Sequence, residues 1–177
     1  LLLGEVRPDS GRFVVGETVR FGYYAQEGFE FDKEMKVIDA VRRTAETIDL
    51  GGGRKLTASQ LLTHFLFPPA RQQDYIYKLS GGERRRLYLC TVLMTNPNFL
   101  ILDEPTEGIQ PSVIQDIGDV IRKINKEMGL TVLIVEQYLD FVLGISDYIY
   151  IMEKGEIVLK GKTSELDAAE VQSKMTH

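Results

Sequence analysis

Leu79-Ser80-Gly81-Gly82-Glu83 stands just before a helical stretch, and about twenty residues later the chain reads Phe99-Leu100-Ile101-Leu102-Asp103-Glu104. Four apolar residues in a row are the pattern of a parallel strand buried on both faces. The two carboxylates that follow stand at the carboxyl end of that strand, where open α/β sheets bind ligands. In the upstream stretch, paired glycines let the backbone approach a ligand closely, and a helix start offers free N–H groups to an anion. The Ser80 hydroxyl adds one more donor. Each stretch alone has an ordinary alternative: an acidic strand end facing solvent, or a Ser-Gly-Gly helix start. In this order and at this spacing the two are specific.

The sequence around them predicts the rest of an α/β domain. Downstream, Ser112 reads as an N-cap with Gln115 completing a capping box. The helix behind it carries Val113, Ile114, Ile117, Val120, Ile121 and Ile124 on one face, and Gly129 closes it. Leu130 to Val135 is the next buried strand. Tyr148 to Met152 and Glu156 to Leu159 flank Lys154-Gly155 as a hairpin, and a short helix covers about Ser164 to Met175. Upstream, Glu83 to Thr95 is a helix ended by Asn96-Pro97-Asn98. Residues 34 to 48 and Leu56 to Phe67 are two further helices, separated by Gly51-Gly52-Gly53 and stopped by Pro68-Pro69. Before them, Pro8-Asp9-Ser10-Gly11 turns into a strand at Arg12 to Val15, and a second strand runs from Val19 to Ala25. Strand–helix alternation from residue 99 predicts a three-layer α/β domain spanning residues 1–177. Residues from about 32 to 95 form a small helical subdomain within it. Leu1-Leu2-Leu3-Gly4 reads as the end of a helix whose earlier turns are missing, so a truncated chain is expected.

Composition narrows the function classes. The chain has 177 residues, 44% hydrophobic and 27% charged, which suits one globular domain with a real core. A net charge of −5 gives no global pull toward nucleic acid or an anionic membrane, and no direct DNA binding is expected. The single cysteine, Cys90, excludes a disulfide framework within the chain and reads as a small buried hydrophobe in a reducing compartment. No apolar run reaches the ~20 residues of a membrane-spanning helix.

Asp103 suits Mg²⁺, which takes a few hard oxygens plus waters and substrate phosphates. Glu104 beside it suits a general base acting on water. With the glycine-rich helix start, these residues resemble the ABC ATPase family over nearly the whole chain. The resemblance implies a P-loop NTPase core of ABC type with a helical subdomain, ATP and Mg²⁺ as cofactors, and head-to-tail pairing with a second ABC ATPase domain. It implies that Ser80, Gly81 and Gly82 contact the γ-phosphate of ATP held by the partner. Gln26, in Tyr23-Tyr24-Ala25-Gln26, matches the family's Q-loop, which senses Mg²⁺ and the attacking water. Gln137, in Ile134-Val135-Glu136-Gln137, matches the catalytic H-loop position. Localisation would be cytoplasmic, peripheral to the inner face of the plasma membrane where a permease is the partner.

Three departures qualify this picture. The Walker A pattern G-x-x-x-x-G-K-[ST], with its strand and loop, does not occur in these 177 residues. Gly161-Lys162-Thr163 has the wrong spacing and resembles the family's late hairpin instead. The H-loop position carries Gln137 where histidine is usual, and neither His64 nor His177 is placed to replace it. The D-loop position usually held by Asp is Gln110. Weak or absent ATP binding by the isolated chain follows, which leaves its activity as an ATP hydrolase open. Residues 1–105 resemble the second domain of ABC-F proteins, which act on the ribosome. Residues 106–177 resemble the ATPase subunits of urea and branched-chain amino-acid importers, in which Gln at the H-loop is a family feature. The change falls within Asp103-Glu104-Pro105-Thr106, and a hybrid joined there is the leading expectation. Arg84-Arg85-Arg86 is read as a solvated helix face. The apolar stripes of residues 34 to 67 are read as subdomain packing rather than a permease dock.

Overall fold

The strand that ends in Asp103 is the centre of the molecule. The computed structural model describes residues 3–4, 6–50 and 52–175. Strand β1 (Phe21–Tyr24), strand β4 (Phe99–Asp103) and strand β5 (Thr131–Val135) form a parallel sheet in the order β1-β4-β5. Leu100, Ile101 and Leu102 of β4 are buried, as their unbroken apolar run requires. The register pairs Tyr24 with Leu102 on one side and Asp103 with Val135 on the other. Both loops that leave β1 and β5 therefore emerge beside the two carboxylates.

Helix α4 (Gly81–Leu93) lies against β1. Its start is a complete capping box: Glu83 N–H donates to Ser80 Oγ at 3.2 Å, and Ser80 N–H donates to Glu83 Oε2 at 2.8 Å. Tyr24 and Tyr88 meet with ring centroids 4.6 Å apart. Gly22 is required here, since a Cβ on it would come within 2.9 Å of Pro97. Helix α5 (Pro111–Met128) buries Ile117, Val120, Ile121 and Ile124 at helical spacing, and ends on Gly129 in the left-handed region at φ 63°. Its start corrects the expected N-cap. Gln110 holds the cap position and Pro111 the first helical one, so Ser112 lies inside the first turn. Proline's fixed φ and missing N–H suit it to that first position.

Between β1 and α4 the chain departs most from expectation. The helix expected over 34–48 is only α1 (Val37–Arg42), followed by strand β2 (Thr47–Asp49). Strand β2 pairs antiparallel with β3 (Lys55–Thr57), placing Ile48 opposite Leu56. The helix expected from Leu56 is α2 (Ala58–His64), capped by a Thr57–Gln60 box and ended by Leu66 at a left-handed φ of 63°. Pro69 opens helix α3 (Pro69–Gln72) as well as stopping α2. Gln72, almost fully buried, ties these short elements together by donating to Phe67 O at 2.8 Å and Ser59 O at 3.0 Å.

Arg12 to Val15 form no strand, and Phe13, Val14 and Val15 stay exposed. A strand exists only through its partner's hydrogen bonds, and none of the described strands pairs with this segment. After β5, helix α6 (Leu139–Ile145) packs on α5, with Phe141 and Ile145 closing on Gly118. Strands β6 (Tyr148–Glu153) and β7 (Glu156–Lys162) form the expected hairpin, and Lys154 and Gly155 at its turn both have positive φ. Gly161 and Lys162 end β7 and Thr163 opens a 3-10 turn, so that tripeptide is not a loop before a long helix. Helix α7 (Ala168–Met175) is shorter than expected because this turn precedes it; its Val171 forms a second, smaller core with Ile149 and Ile151. The expected helix end at Leu1-Leu2-Leu3-Gly4 falls partly on Leu1 and Leu2, which lie outside the described residues, as does His177. Among the described residues no helix is long and apolar enough to cross a membrane.

Candidate nucleotide site

Glu104 occupies a strained position. It follows β4 with φ 45°, in the left-handed region that non-glycine residues rarely adopt, and its N–H donates to Val135 O at 2.9 Å. Such a conformation persists only where its surroundings over-determine it. Here both carboxylate oxygens are held. Gln137 Nε2 donates to Oε1 at 2.8 Å, and Gln26 Nε2 donates to Oε2 at 3.1 Å. Gln26 reaches the site from the end of β1, and Gln137 from the end of β5. The structure thus brings together Gln26, Asp103, Glu104 and Gln137, four of the residues singled out in the sequence.

Three further residues join them that sequence reasoning did not single out. Tyr23 Oη donates to Asp103 Oδ2 at 3.2 Å. Glu107 Oε2 accepts from the same Gln26 amide at 3.1 Å. Glu136 accepts from Thr106 N–H at 3.1 Å and from the Thr106 hydroxyl, and from Gln137 N–H at 2.8 Å. Tyr23 carried a usable signal: in a strand whose neighbours Gly22 and Tyr24 face inward, it faces the other way, toward the strand end.

Ser80, Gly81 and Gly82 are held at the head of α4 by a different set of contacts. Ser80 Oγ accepts from Glu83 N–H, an arrangement that does not use its O–H as a donor. Gly81 faces open space, whereas Gly82 lies against Val113. Arg71 fixes Glu83 from behind with Nη2 at 3.0 Å from both carboxylate oxygens. Partial burial pushes the Glu83 carboxyl up, but the Ser80 N–H and the Arg71 guanidinium outweigh it and hold it below its ordinary value. The expected solvated arginine face is corrected. Arg86 packs over the Phe67 ring and pairs with Asp116 at 3.2 Å, and Arg85 reaches Tyr24 Oη. Only Arg84 is exposed, and it donates to Leu79 O at 2.6 Å.

The donors fit Mg²⁺ shared with phosphates. Asp103 offers hard carboxylate oxygens at a strand end, and Gln26, with its Nε2 engaged on Glu104 and Glu107, leaves its amide oxygen free to ligate. Among the described residues no group of three or more His, Cys, Asp or Glu side chains is arranged to hold a metal unaided. An ion that keeps waters and takes substrate oxygens needs no such group.

A mainly parallel sheet with carboxylates at the end of its central strand, and a glycine-rich helix start beside it, defines an α/β nucleotide-binding class of domain. The ABC transporter family model matches residues 1–107, and the chain belongs to that family. It is 49% identical over 120 residues (68% of this chain) to the uncharacterized ABC transporter ATP-binding protein YfmR of Bacillus subtilis. It is 34% identical over 158 residues (89% of this chain) to the ATP-binding protein Uup of Haemophilus influenzae. These matches span 19% and 24% of the respective relatives' lengths, so the chain corresponds to about a quarter of each at most. Among solved structures, cbiO1 from Clostridium perfringens, part of the ABC transporter complex cbiONQ, shares the fold with a TM-score of 0.74 and 22% identity, covering 98% of this chain and 73% of that one. The fold is therefore that of ABC ATPase cassettes.

Proposed function

We propose that this domain serves ATP hydrolysis by an ABC protein, with two separable roles. Glu104 orients and deprotonates the attacking water beside a Mg²⁺–ATP phosphate, and Asp103 and Gln26 hold the ion. Ser80, Gly81 and Gly82 serve the nucleotide of a second ABC domain paired head to tail. The observation that carries this reading is the double amide clamp on Glu104, which aims one carboxylate from a strained backbone at the end of β4. The phosphate cradle must come from a Walker A segment, which these 177 residues do not contain. The isolated chain therefore binds ATP weakly, and micromolar binding of a fluorescent ATP analogue would refute that part.

The signature role is tested by mixing the chain with an ABC domain that has an intact phosphate loop and a disabled signature. Hydrolysis returns if the reading is right; no rescue sinks it. We further propose work at the inner face of a membrane with a permease, which the relatives' description as ABC transporter proteins supports. The resemblance of residues 106–177 points to urea or branched-chain amino acids as the cargo. A ribosome-acting ABC-F domain is the second reading, resting on the resemblance of residues 1–105. A hybrid origin rests on the differing resemblances of residues 1–105 and 106–177 alone, since the match to Uup runs across the change of accent at 103–106. Co-purification with permease-containing membranes against co-sedimentation with ribosomes separates the two partners.

A further inference from the structure

Glu136 has no role in the reading above, yet it makes more hydrogen bonds than any other carboxylate beside Glu104. Its Oε1 accepts both from Thr106 N–H and from the Thr106 hydroxyl, and its Oε2 accepts from Gln137 N–H. Thr106 is buried and lies two residues after Glu104 on the loop leaving β4. Gln137 lies on the loop leaving β5, and its side chain returns to Glu104 Oε1. Glu104 N–H donates to Val135 O, next to Glu136. The contacts close a ring: Glu104 to Val135 through the backbone, Thr106 to Glu136, Glu136 to Gln137, and Gln137 back to Glu104. We infer that Glu136 is a positioning residue, the staple that sets the two loops at the separation where the Gln137 amide reaches the Glu104 carboxylate.

The chemistry at this position is selective. A carboxylate has acceptor sites on both oxygens and no donor, so one group can serve Thr106 and Gln137 N–H together. An amide of the same shape cannot. Either its NH₂ faces the Gln137 N–H, donor against donor, or it flips and faces Thr106. One leg of the ring breaks in both cases. The inference rests on the proposed role of Glu104, but its test does not need ATP.

The experiment is NMR of the uniformly ¹⁵N-labelled chain without nucleotide, reading the Gln137 side-chain amide, assigned by its loss in Gln137→Ala. Glu136→Gln is expected to move that resonance to the position of a free glutamine amide and to speed exchange of the backbone N–H left facing the new NH₂, that of Gln137 or of Thr106, by about tenfold or more, the scale of losing a bond to a charged acceptor. The Gln26 side-chain resonance stays in place. An unchanged Gln137 side-chain resonance in a folded Glu136→Gln chain overturns the inference. If that variant does not fold, Glu136→Ala decides, since it removes the contacts to both Thr106 donors and to Gln137 N–H at once. A displaced Gln137 resonance there supports the staple, and an unmoved one overturns it. A shift with no ATPase activity in any assembly leaves the staple standing and condemns the proposed function alone.

Discussion

Gly81 and Gly82 are neighbours in sequence but should respond to alanine in opposite directions. Relative to alanine, glycine weakens a helix by roughly 0.5–1 kcal/mol through backbone entropy. A Cβ at Gly81 meets nothing within 4 Å, so Gly81→Ala should recover up to about that amount. A Cβ at Gly82 would sit 2.8 Å from Val113 Cγ1, closer than real methyl contacts allow. Val113 is on a helix, where a β-branched side chain has one strongly preferred rotamer and cannot swing away. Forced overpacking of this kind costs about 1–3 kcal/mol, so Gly82→Ala should be destabilising by roughly 0.5–2 kcal/mol net. The melting temperature of a domain this size moves by about 2–4 °C per kcal/mol, which separates the two variants by several degrees in a thermal melt. Truncating the obstacle should reverse the sign: in a Val113→Ala background, Gly82→Ala becomes stabilising. Gly81→Ala should nonetheless weaken rescue of a partner domain, because its methyl enters the open space at the helix start that a phosphate would approach. A Gly82→Ala chain that melts at or above Gly81→Ala would refute the packing argument.

Four more outcomes are expected. Glu104→Gln should lower hydrolysis by about 10²–10⁴-fold in an assembly that supplies the phosphate loop, with nucleotide affinity kept; unchanged turnover would remove Glu104 as the base. Glu83 is held below its ordinary 4.5, so its contribution is present above that pH and fades as pH falls through the lower folded value. Glu83→Gln, which keeps the capping box, should therefore flatten the loss of stability below about pH 4.5 in denaturant titrations. Burial pushes the Cys90 thiol well above its ordinary range, so a thiol reagent should label it only as fast as the chain unfolds. Arg86→Ala removes both the Asp116 pair and the packing on Phe67, and a fall in stability of less than about 1 kcal/mol in urea titrations would contradict that account.

The parts of the fold that could be read from the sequence are those whose signals are local. The run Phe99 to Leu102 specifies a buried strand without reference to distant residues and stands where expected, whereas the helix expected from Glu83 to Thr95 runs from Gly81 to Leu93, because Ser80 caps it in a box with Glu83. Segments whose structure depends on a partner were misread. Arg12 to Val15 has the composition of a strand but no neighbour among the described strands. Thr47 to Asp49 was absorbed into a helix, although Gly51-Gly52-Gly53 followed by Lys55-Leu56-Thr57 was a usable hairpin signal. Gly52 and Gly53 both take the positive φ that such a turn needs. At the site, residues with family motifs were legible and strand alternation marked Tyr23, whereas Glu107 and Glu136 act through hydrogen bonds across 81 and 30 positions of sequence, which no periodicity reveals.

The identity of the two residues that clamp Glu104 has a kinetic consequence. Gln26 and Gln137 are amides, and an amide neither gains nor loses a proton between pH 5 and 8. The Gln137 Nε2 that donates to Glu104 at 2.8 Å therefore keeps the same charge across that range. A histidine at this position would behave differently, because an unperturbed imidazole changes charge near pH 6.5. As a cation it strengthens the hold on Glu104; as a neutral ring its bond depends on the tautomer. Gln137→His should thus add a limb near neutrality to the pH–rate profile of an active assembly, one that the glutamine protein lacks. A wild-type profile that already carries such a limb, and keeps it in Gln137→Ala, would place the titrating group outside the clamp. Superimposable profiles for the wild-type and Gln137→His proteins would mean that the 2.8 Å bond does not govern the reaction.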